Sequence, residues 1–136
     1  MHKPNYKFYL ADELPDHEIF VFGSNTAGRH GAGAAKTAYL HYGAKYGVAE
    51  GLCNQSYAIP TREWFGPRNL KTLELSLVVA NIQRFVQFTQ TSYKHFYVTA
   101  VGCGFAGFRV SDIAPHFEGA SKSCRFPIEF KPYLEK

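Results

Sequence analysis

The run Ile19-Phe-Val-Phe-Gly-Ser-Asn-Thr-Ala-Gly-Arg-His-Gly-Ala-Gly-Ala-Ala-Lys-Thr-Ala-Tyr-Leu40 reads as a buried strand, a glycine-rich turn and a helix. Four consecutive apolar residues, Ile19 to Phe22, fit a strand covered on both faces, as the strands of parallel sheets are. Gly23, Gly28, Gly31 and Gly33 allow a tight turn and a close approach of backbone N–H groups to a bound group. Ala34, Ala35, Ala38 and Tyr39 then form a helical stripe running from about Gly33 to Tyr42, with Gly43 as its stop. The N–H groups at the start of such a helix attract anions.

Outward from this run, Tyr6 to Leu10 is aromatic-rich and partly alternating, which predicts a first strand followed by a polar turn that contains Asp12. Residues 43–55 read as a glycine-punctuated irregular segment. Ser56 to Thr61 predicts a short strand whose end is marked by Pro60, because proline cannot donate to a central ladder. Arg62 to Arg68 then reads as a surface loop with Trp64 at its tip. From about Leu70 to Gln90, apolar residues recur at three and four, the pattern of a long amphipathic packing helix. His95 to Val101 is the most β-prone run and flows into a second glycine turn, Gly102-Cys-Gly-Phe-Ala-Gly107. Ser111 is placed to cap a short helix from Asp112 to about Phe117, and Phe126 to Phe130 reads as a closing strand.

Strands alternating with helices predict the α/β class, here a three-layer α/β/α fold with a mixed, mostly parallel central sheet. In such sheets ligands sit beyond the carboxyl ends of the strands. Two N–H-rich loops at one sheet edge suit a single extended anion such as a pyrophosphate.

At 136 residues the chain is expected to be one domain, 1–136, able to bury roughly two-thirds of its unfolded surface. A hydrophobic content of 46%, with twelve Phe and nine Tyr, excludes a disordered chain. Most of those rings belong in a core, and some remain for stacking on a planar ligand. A net charge of +4 and a pI near 9.0 suit an anionic ligand but fall short of the dense basic stripe of a dedicated nucleic-acid binder. Cys53, Cys103 and Cys124 are odd in number without C-x-x-C spacing, and the first residues carry no apolar signal core, so a reduced cytoplasmic protein is expected. No apolar run approaches the roughly 20 residues of a membrane span. His17, His41, His95 and His116 lack ligand spacing, so neither a zinc site nor another cofactor is expected.

The first glycine loop misses two familiar nucleotide signatures. Gly28-Arg-His-Gly-Ala-Gly33 opens like G-x-x-x-x-G-K-[ST], but Ala34 and Ala35 stand where Lys and Ser/Thr reach phosphates and magnesium, and Lys36-Thr37 comes two residues late. Gly31-Ala-Gly33 begins a dinucleotide fingerprint, but Lys36 occupies its third small-residue position.

The order of these pieces resembles the macro domains, which bind ADP-ribose and related NAD metabolites. Phe20-Val-Phe-Gly-Ser-Asn25, Gly28 to Ala35 and Val98 to Gly107 match that family's strand ending in Asn, its first glycine loop with a small-residue helix, and its second strand and loop. Val-Gly-Cys-Gly at 101–104 is similar to the subgroup that includes the terminal ADP-ribose protein glycohydrolase. The phrase Phe-Gly-Ser-Asn-x-Ala-Gly-Arg-His-Gly-Ala-Gly-Ala-Ala resembles uncharacterised phage and bacterial members. The resemblance implies that Asn25 contacts hydroxyls of the distal ribose, that Gly31, Gly33, Gly102, Gly104 and Gly107 cradle the two phosphates, and that Asp12 accepts the adenine amine. It leaves Phe105 or Phe108 to stack on adenine or ribose. Gly28, Arg29, Ala32, Cys103 and Ala106 complete the expected ligand-facing set.

Catalysis is where the sequence departs from the resemblance. Ala106 stands where glycohydrolase-like members carry Asp, Arg62 where they carry Lys, and Ala34 and Ala35 where another hydrolase group carries Asp within the first loop. Alanine offers no acid or base, and arginine stays protonated. A replacement would have to come from His30, Asp112 or Arg29. His30 titrates near neutrality and is either a base or a phosphate-binding cation. Cys103 between glycines is a nucleophile candidate or simply a small residue beneath a phosphate loop. Three functions remain open at this point. One is recognition of ADP-ribose or a similar nucleotide, including ADP-ribosylated macromolecules. The others are hydrolysis of an ADP-ribosyl bond and nucleic-acid binding through the basic surface and Trp64.

Overall fold

The computed structural model describes residues 5–11 and 13–135. Its elements in chain order are β1 (Lys7–Tyr9), β2 (Ile19–Asn25), α1 (Gly33–His41), β3 (Gly51–Cys53), β4 (Ser56–Trp64), β5 (Leu70–Thr72), α2 (Leu75–Gln90), β6 (Phe96–Val98), α3 (Val110–Ile113), β7 (Cys124–Pro127) and α4 (Lys131–Leu134). Two 3₁₀ turns, Ala114–Phe117 and Ile128–Phe130, follow α3 and β7. The strands form one sheet in the order β1-β7-β6-β2-β4-β3, with β5 also paired to β4. All pairings from β1 to β4 along that path are parallel, and only the short β3 and β5 run antiparallel to β4. The mixed, mostly parallel α/β sheet expected from the sequence is therefore present.

Strand periodicity builds two cores, one on each face. On β2, Ile19 and Val21 join Tyr57, Ile59, Phe96 and Val98 beneath Val78, Ile82 and Phe85 of α2. The alternate residues Phe20 and Phe22 point to the other face with Ala58 and Tyr97, under Ala35 and Ala38 of α1. Successive strand side chains leave opposite faces, so a run of four apolar residues has to be covered twice. On the α1 face the rings stack: Phe20 lies 4.6 Å from Tyr42 and Tyr9 lies 4.1 Å from Tyr97, centroid to centroid. Among the described residues no helix is long and apolar enough to cross a membrane.

Several boundaries differ from the sequence reading. Residues 51–53 are a strand, joined to β4 by a tight turn in which Asn54 takes φ +52°. β4 does not stop at Pro60 but runs on to Trp64. Pro60 lies between the residues of β4 that pair with β3 and those that pair with β5, and the ladder to β2 shifts beside it, from Ser24↔Pro60 to Asn25↔Arg62. A proline at such an irregularity deprives no regular ladder of a donor. Its carbonyl accepts the buried Asn81 Nδ2–H of α2 at 2.9 Å. The expected surface loop 62–68 is instead the arm of a β4–β5 hairpin, and α2 begins at Leu75 rather than Leu70. Arg109, not Ser111, precedes α3, and the last strand ends at Pro127 before a 3₁₀ turn.

Candidate functional site

The chain leaves β2 through α1 on one face and leaves β6 toward α3 on the other, although β2 and β6 are neighbours. Connections that splay apart in this way open a crevice beyond the carboxyl ends of the strands. A cavity of about 600 Å³ occupies that position, within the range of small-ligand sites. It is lined by the end of β2, the first glycine loop and the start of α1, the end of β4, Leu70 of β5, and residues 99–106 after β6.

The first loop is built by Asn25. Its side chain is 6% exposed; Nδ2 donates to the Arg29 carbonyl at 2.8 Å, while Oδ1 accepts from Ala27 N–H at 3.2 Å and from Arg29 N–H at 3.0 Å. An amide has two acceptor lone pairs and two N–H donors, so both lone pairs are committed and one N–H remains. Asn25 therefore lines the cavity mainly as the former of the loop, with one N–H left to donate. Gly28 turns the loop at φ +66°, where an added Cβ would stand 2.7 Å from the carbonyl carbon of Gly47.

The loop delivers the start of α1, with Gly31 to Ala35 along the cavity wall. Helical N–H groups point toward the N-terminus, and those of the first turn have no partner inside the helix. Neither a capping side chain nor an acidic residue occupies this first turn. The second loop is closed by hydrogen bonds from Cys103 N–H to Ala100 O, Gly107 N–H to Gly104 O and Phe108 N–H to Gly102 O. Thr72 of β5 donates its hydroxyl to the Ala106 carbonyl at 2.8 Å, tying this loop to the hairpin.

Two arginines rim the cavity, each over an aromatic ring. The Arg29 guanidinium lies 5.2 Å from the Trp64 ring centroid and that of Arg62 lies 5.4 Å from Phe105. Phe105, 68% exposed, also covers Gly33, where a Cβ would come within 2.8 Å of its ring. Rings held against cations fix their positions at a gain of roughly 0.5–1 kcal/mol per exposed pair. Among the described residues the lining holds these two cations and no Asp, Glu, His or Lys.

Of the residues singled out from sequence, the cavity gathers Asn25, Arg29, Gly31, Ala32, Gly33, Gly102, Cys103, Gly104, Phe105 and Ala106. Arg62 and Trp64, previously assigned to a loop, join them, and so do Ala34 and Ala35. Gly28, Gly107 and Phe108 lie outside the lining and shape the loops from behind. Asp12 lies outside the described residues. His30 is 1% exposed and packs edge-on against Phe22 and Tyr46, with Nε2–H donated to the Lys45 carbonyl at 2.9 Å and Nδ1 buried with no hydrogen-bond partner among the described residues. Burial pushes its pKa below the usual imidazole value, against the opposing effect of its backbone hydrogen bonds. Away from the lining, it is a packing residue beneath the loop rather than a base facing a ligand. Asp112 is likewise engaged elsewhere: its Oδ2 accepts the Arg109 N–H at the start of α3. Cys103 does line the cavity, but burial first, then the charges of Asp112 and Glu129, push its thiol up to about 11. A thiol so rarely ionised at neutral pH is a poor nucleophile.

Sequence reasoning overlooked Thr61, Leu70 and Thr99 in the lining. Thr61 sits near the end of the parallel β2–β4 ladder and Thr99 just past β6, a signal that would have found them. Leu70 was concealed because its apolar side chain continues the helical period of α2 into what is a strand.

No family model and no curated protein matches the sequence. Among solved structures, a protein of unknown function from Bacteroides thetaiotaomicron has a similar fold, with a TM-score of 0.57 at 10% identity over 90% of this chain and 98% of that one. A second protein from Bacteroides thetaiotaomicron aligns with a TM-score of 0.49 at 12% identity, over 90% of this chain and 99% of the other. At 10% identity the likeness to the first of these is one of fold.

Proposed function

We propose that this chain recognises ADP-ribose or a related NAD-derived nucleotide in the cavity beyond β2, β4 and β6. The observation that carries the reading is the cavity's charge: a helix N-terminus and two arginines meet there, with no carboxylate among the described lining residues. Such a surface favours a diphosphate, since helix N-termini and guanidinium groups both stabilise phosphate oxygens. Trp64 and Phe105 offer ring faces for the base or a ribose, and the spare N–H of Asn25 can donate to a hydroxyl.

The same lining argues for recognition over turnover. Hydrolysis of an ADP-ribosyl bond needs a group that moves a proton or attacks carbon, and Ala34, Ala35 and Ala106 supply none. Calorimetry with ADP-ribose, ADP and AMP tests the proposal, with affinity expected to fall in that order. Arg62→Ala should weaken ADP-ribose binding about 10- to 100-fold, the loss of one charge-assisted hydrogen bond of roughly 1.5–3 kcal/mol. Absence of binding at millimolar ADP-ribose would overturn the reading, and turnover of an ADP-ribosyl conjugate would restore the hydrolase.

A further inference from the structure

Outside the cavity, the β4–β5 hairpin carries cations and rings in a pattern that nucleotide recognition in the cavity does not use. Strand alternation places Arg62, Trp64 and Leu70 toward the cavity and leaves Phe65 and Lys71 on the opposite side. There Phe65 is 51% exposed, and the Lys71 ammonium lies 5.5 Å from its ring centroid. Arg68 is exposed in the connecting turn at φ +60°, and that turn is closed by hydrogen bonds from Phe65 N–H to Asn69 O at 2.8 Å and from Asn69 N–H to Gly66 O at 3.0 Å. Together with Arg29–Trp64 and Arg62–Phe105, this makes three cation–ring pairs around one hairpin.

What sets this region apart is the ring beside each cation, more than its ion pairing. Arg84 and Arg125 are neutralised by Glu50 and by Glu13 with Glu18, whereas Arg62, Arg68 and Lys71 form no ion pair among the described residues, and the hairpin's one carboxylate, Glu63, stands across the strands from Lys71 on the same face. The three cations of the hairpin outnumber that carboxylate, which leaves a net positive charge for an external anion. Rings interleaved with unneutralised cations are what a flexible chain of stacked bases and phosphates requires, because every base has a face to stack and every linkage a charge to neutralise. An acidic peptide matches the cations but gives the exposed rings little to stack on.

We propose that the β4–β5 hairpin is a binding arm for single-stranded nucleic acid, with Phe65 stacking a base and Arg68 and Lys71 meeting phosphates around its tip. The strand runs from the tip toward the cavity mouth, where Trp64 and Phe105 continue the ring series. Phe65, Arg68 and Lys71 at the tip lie outside the cavity lining, so binding there does not depend on what the cavity holds.

Fluorescence anisotropy with a labelled single-stranded oligothymidine tests it, using the double variant Phe65→Ala/Lys71→Gln, whose residues lie outside the cavity lining. Wild type should bind with an affinity that falls steeply with salt. The variant should bind about tenfold or more weakly, and the magnitude of its log–log salt slope should drop by about 0.7, the share of one phosphate contact on a single strand. Its calorimetric affinity for ADP-ribose should stay at the wild-type value. No oligothymidine binding by wild type at low salt, unchanged binding by the variant, or equally effective competition by polyglutamate would each overturn the proposal. Loss of ADP-ribose binding by wild type with oligothymidine binding intact would overturn the cavity reading and leave this one standing.

Discussion

Replacing Asn25 separates two roles that one side chain can play, holding a loop and touching a ligand. Asn25→Ala removes three hydrogen bonds, from Nδ2 to Arg29 O and to Oδ1 from the N–H groups of Ala27 and Arg29. At a net 0.5–1.5 kcal/mol each the loss spans roughly 1.5–4.5 kcal/mol. Arg29 is exposed and Ala27 half-buried, so water can satisfy the orphaned groups and the expected cost is in the lower part of that range, about 2 kcal/mol. With a urea m-value of about 2 kcal/mol/M the unfolding midpoint should fall by about 1 M, with m unchanged. Asn25→Asp keeps the acceptor oxygen and loses the donor, so its stability should lie between wild type and Ala. Its affinity for ADP-ribose should be the lowest of the three, because it adds a carboxylate to a cavity whose described lining has none. The two rankings thus differ: stability follows Asn, Asp, Ala, and affinity follows Asn, Ala, Asp. An Asn25→Ala protein that unfolds at the wild-type urea midpoint would refute the loop-holding role.

Two further substitutions contrast glycines that share a left-handed backbone. Gly28→Ala should cost about 3 kcal/mol or more, since its Cβ meets the backbone of Gly47 and Val48 at 2.7–2.8 Å, whereas Gly33→Ala meets only the mobile Phe105 ring and should cost about 1 kcal/mol while weakening ADP-ribose binding; equal losses by urea unfolding would contradict this. For His30, the folded-state pKa lies below the unfolded value of about 6.5, so below that pH the unfolded chain binds the extra proton first. Its contribution is fully present above about pH 6.5 and is lost as pH falls toward the folded pKa. The urea midpoint of wild type should therefore decline through this window, His30→Gln should flatten the decline, and identical slopes would count against a neutral buried imidazole.

Much of the fold could be read from hydrophobic period alone. Ile19 to Phe22 announced a doubly covered strand because parallel sheets bury both faces, and the α2 stripe through Val78, Ile82 and Phe85 announced the helix that covers one of them. What escaped was local and antiparallel. β3 and β5 are three residues each, too short to show a period, and their turns lack the Asn-Gly or Asp-Gly pair that marks a hairpin. Pro60 misled for a definite reason: proline ends a strand only where the ladder needs its N–H, and beside the β2 register shift no regular pairing does.

For the site, glycine spacing identified two loops that line the cavity but not what else surrounds it. The two loops come together because β2 and β6 are adjacent while their helices depart to opposite faces, a consequence of strand order that no local motif contains. The same topology brings Arg62 and Trp64 to the mouth, since β4 flanks β2 on its other side and, through β5, runs four residues beyond the proline. The single residues carrying the most apparent chemistry in the sequence, His30 and Asp112, are engaged in packing and in starting a helix, while the alanines that looked uninformative line the cavity. An acid or base at Ala34, Ala35 or Ala106 would stand beside two arginines that hold its carboxylate form, lowering its pKa and opposing an anionic ligand at once. Alanine at those positions therefore supports the proposed recognition of a phosphate over cleavage of the bond next to it.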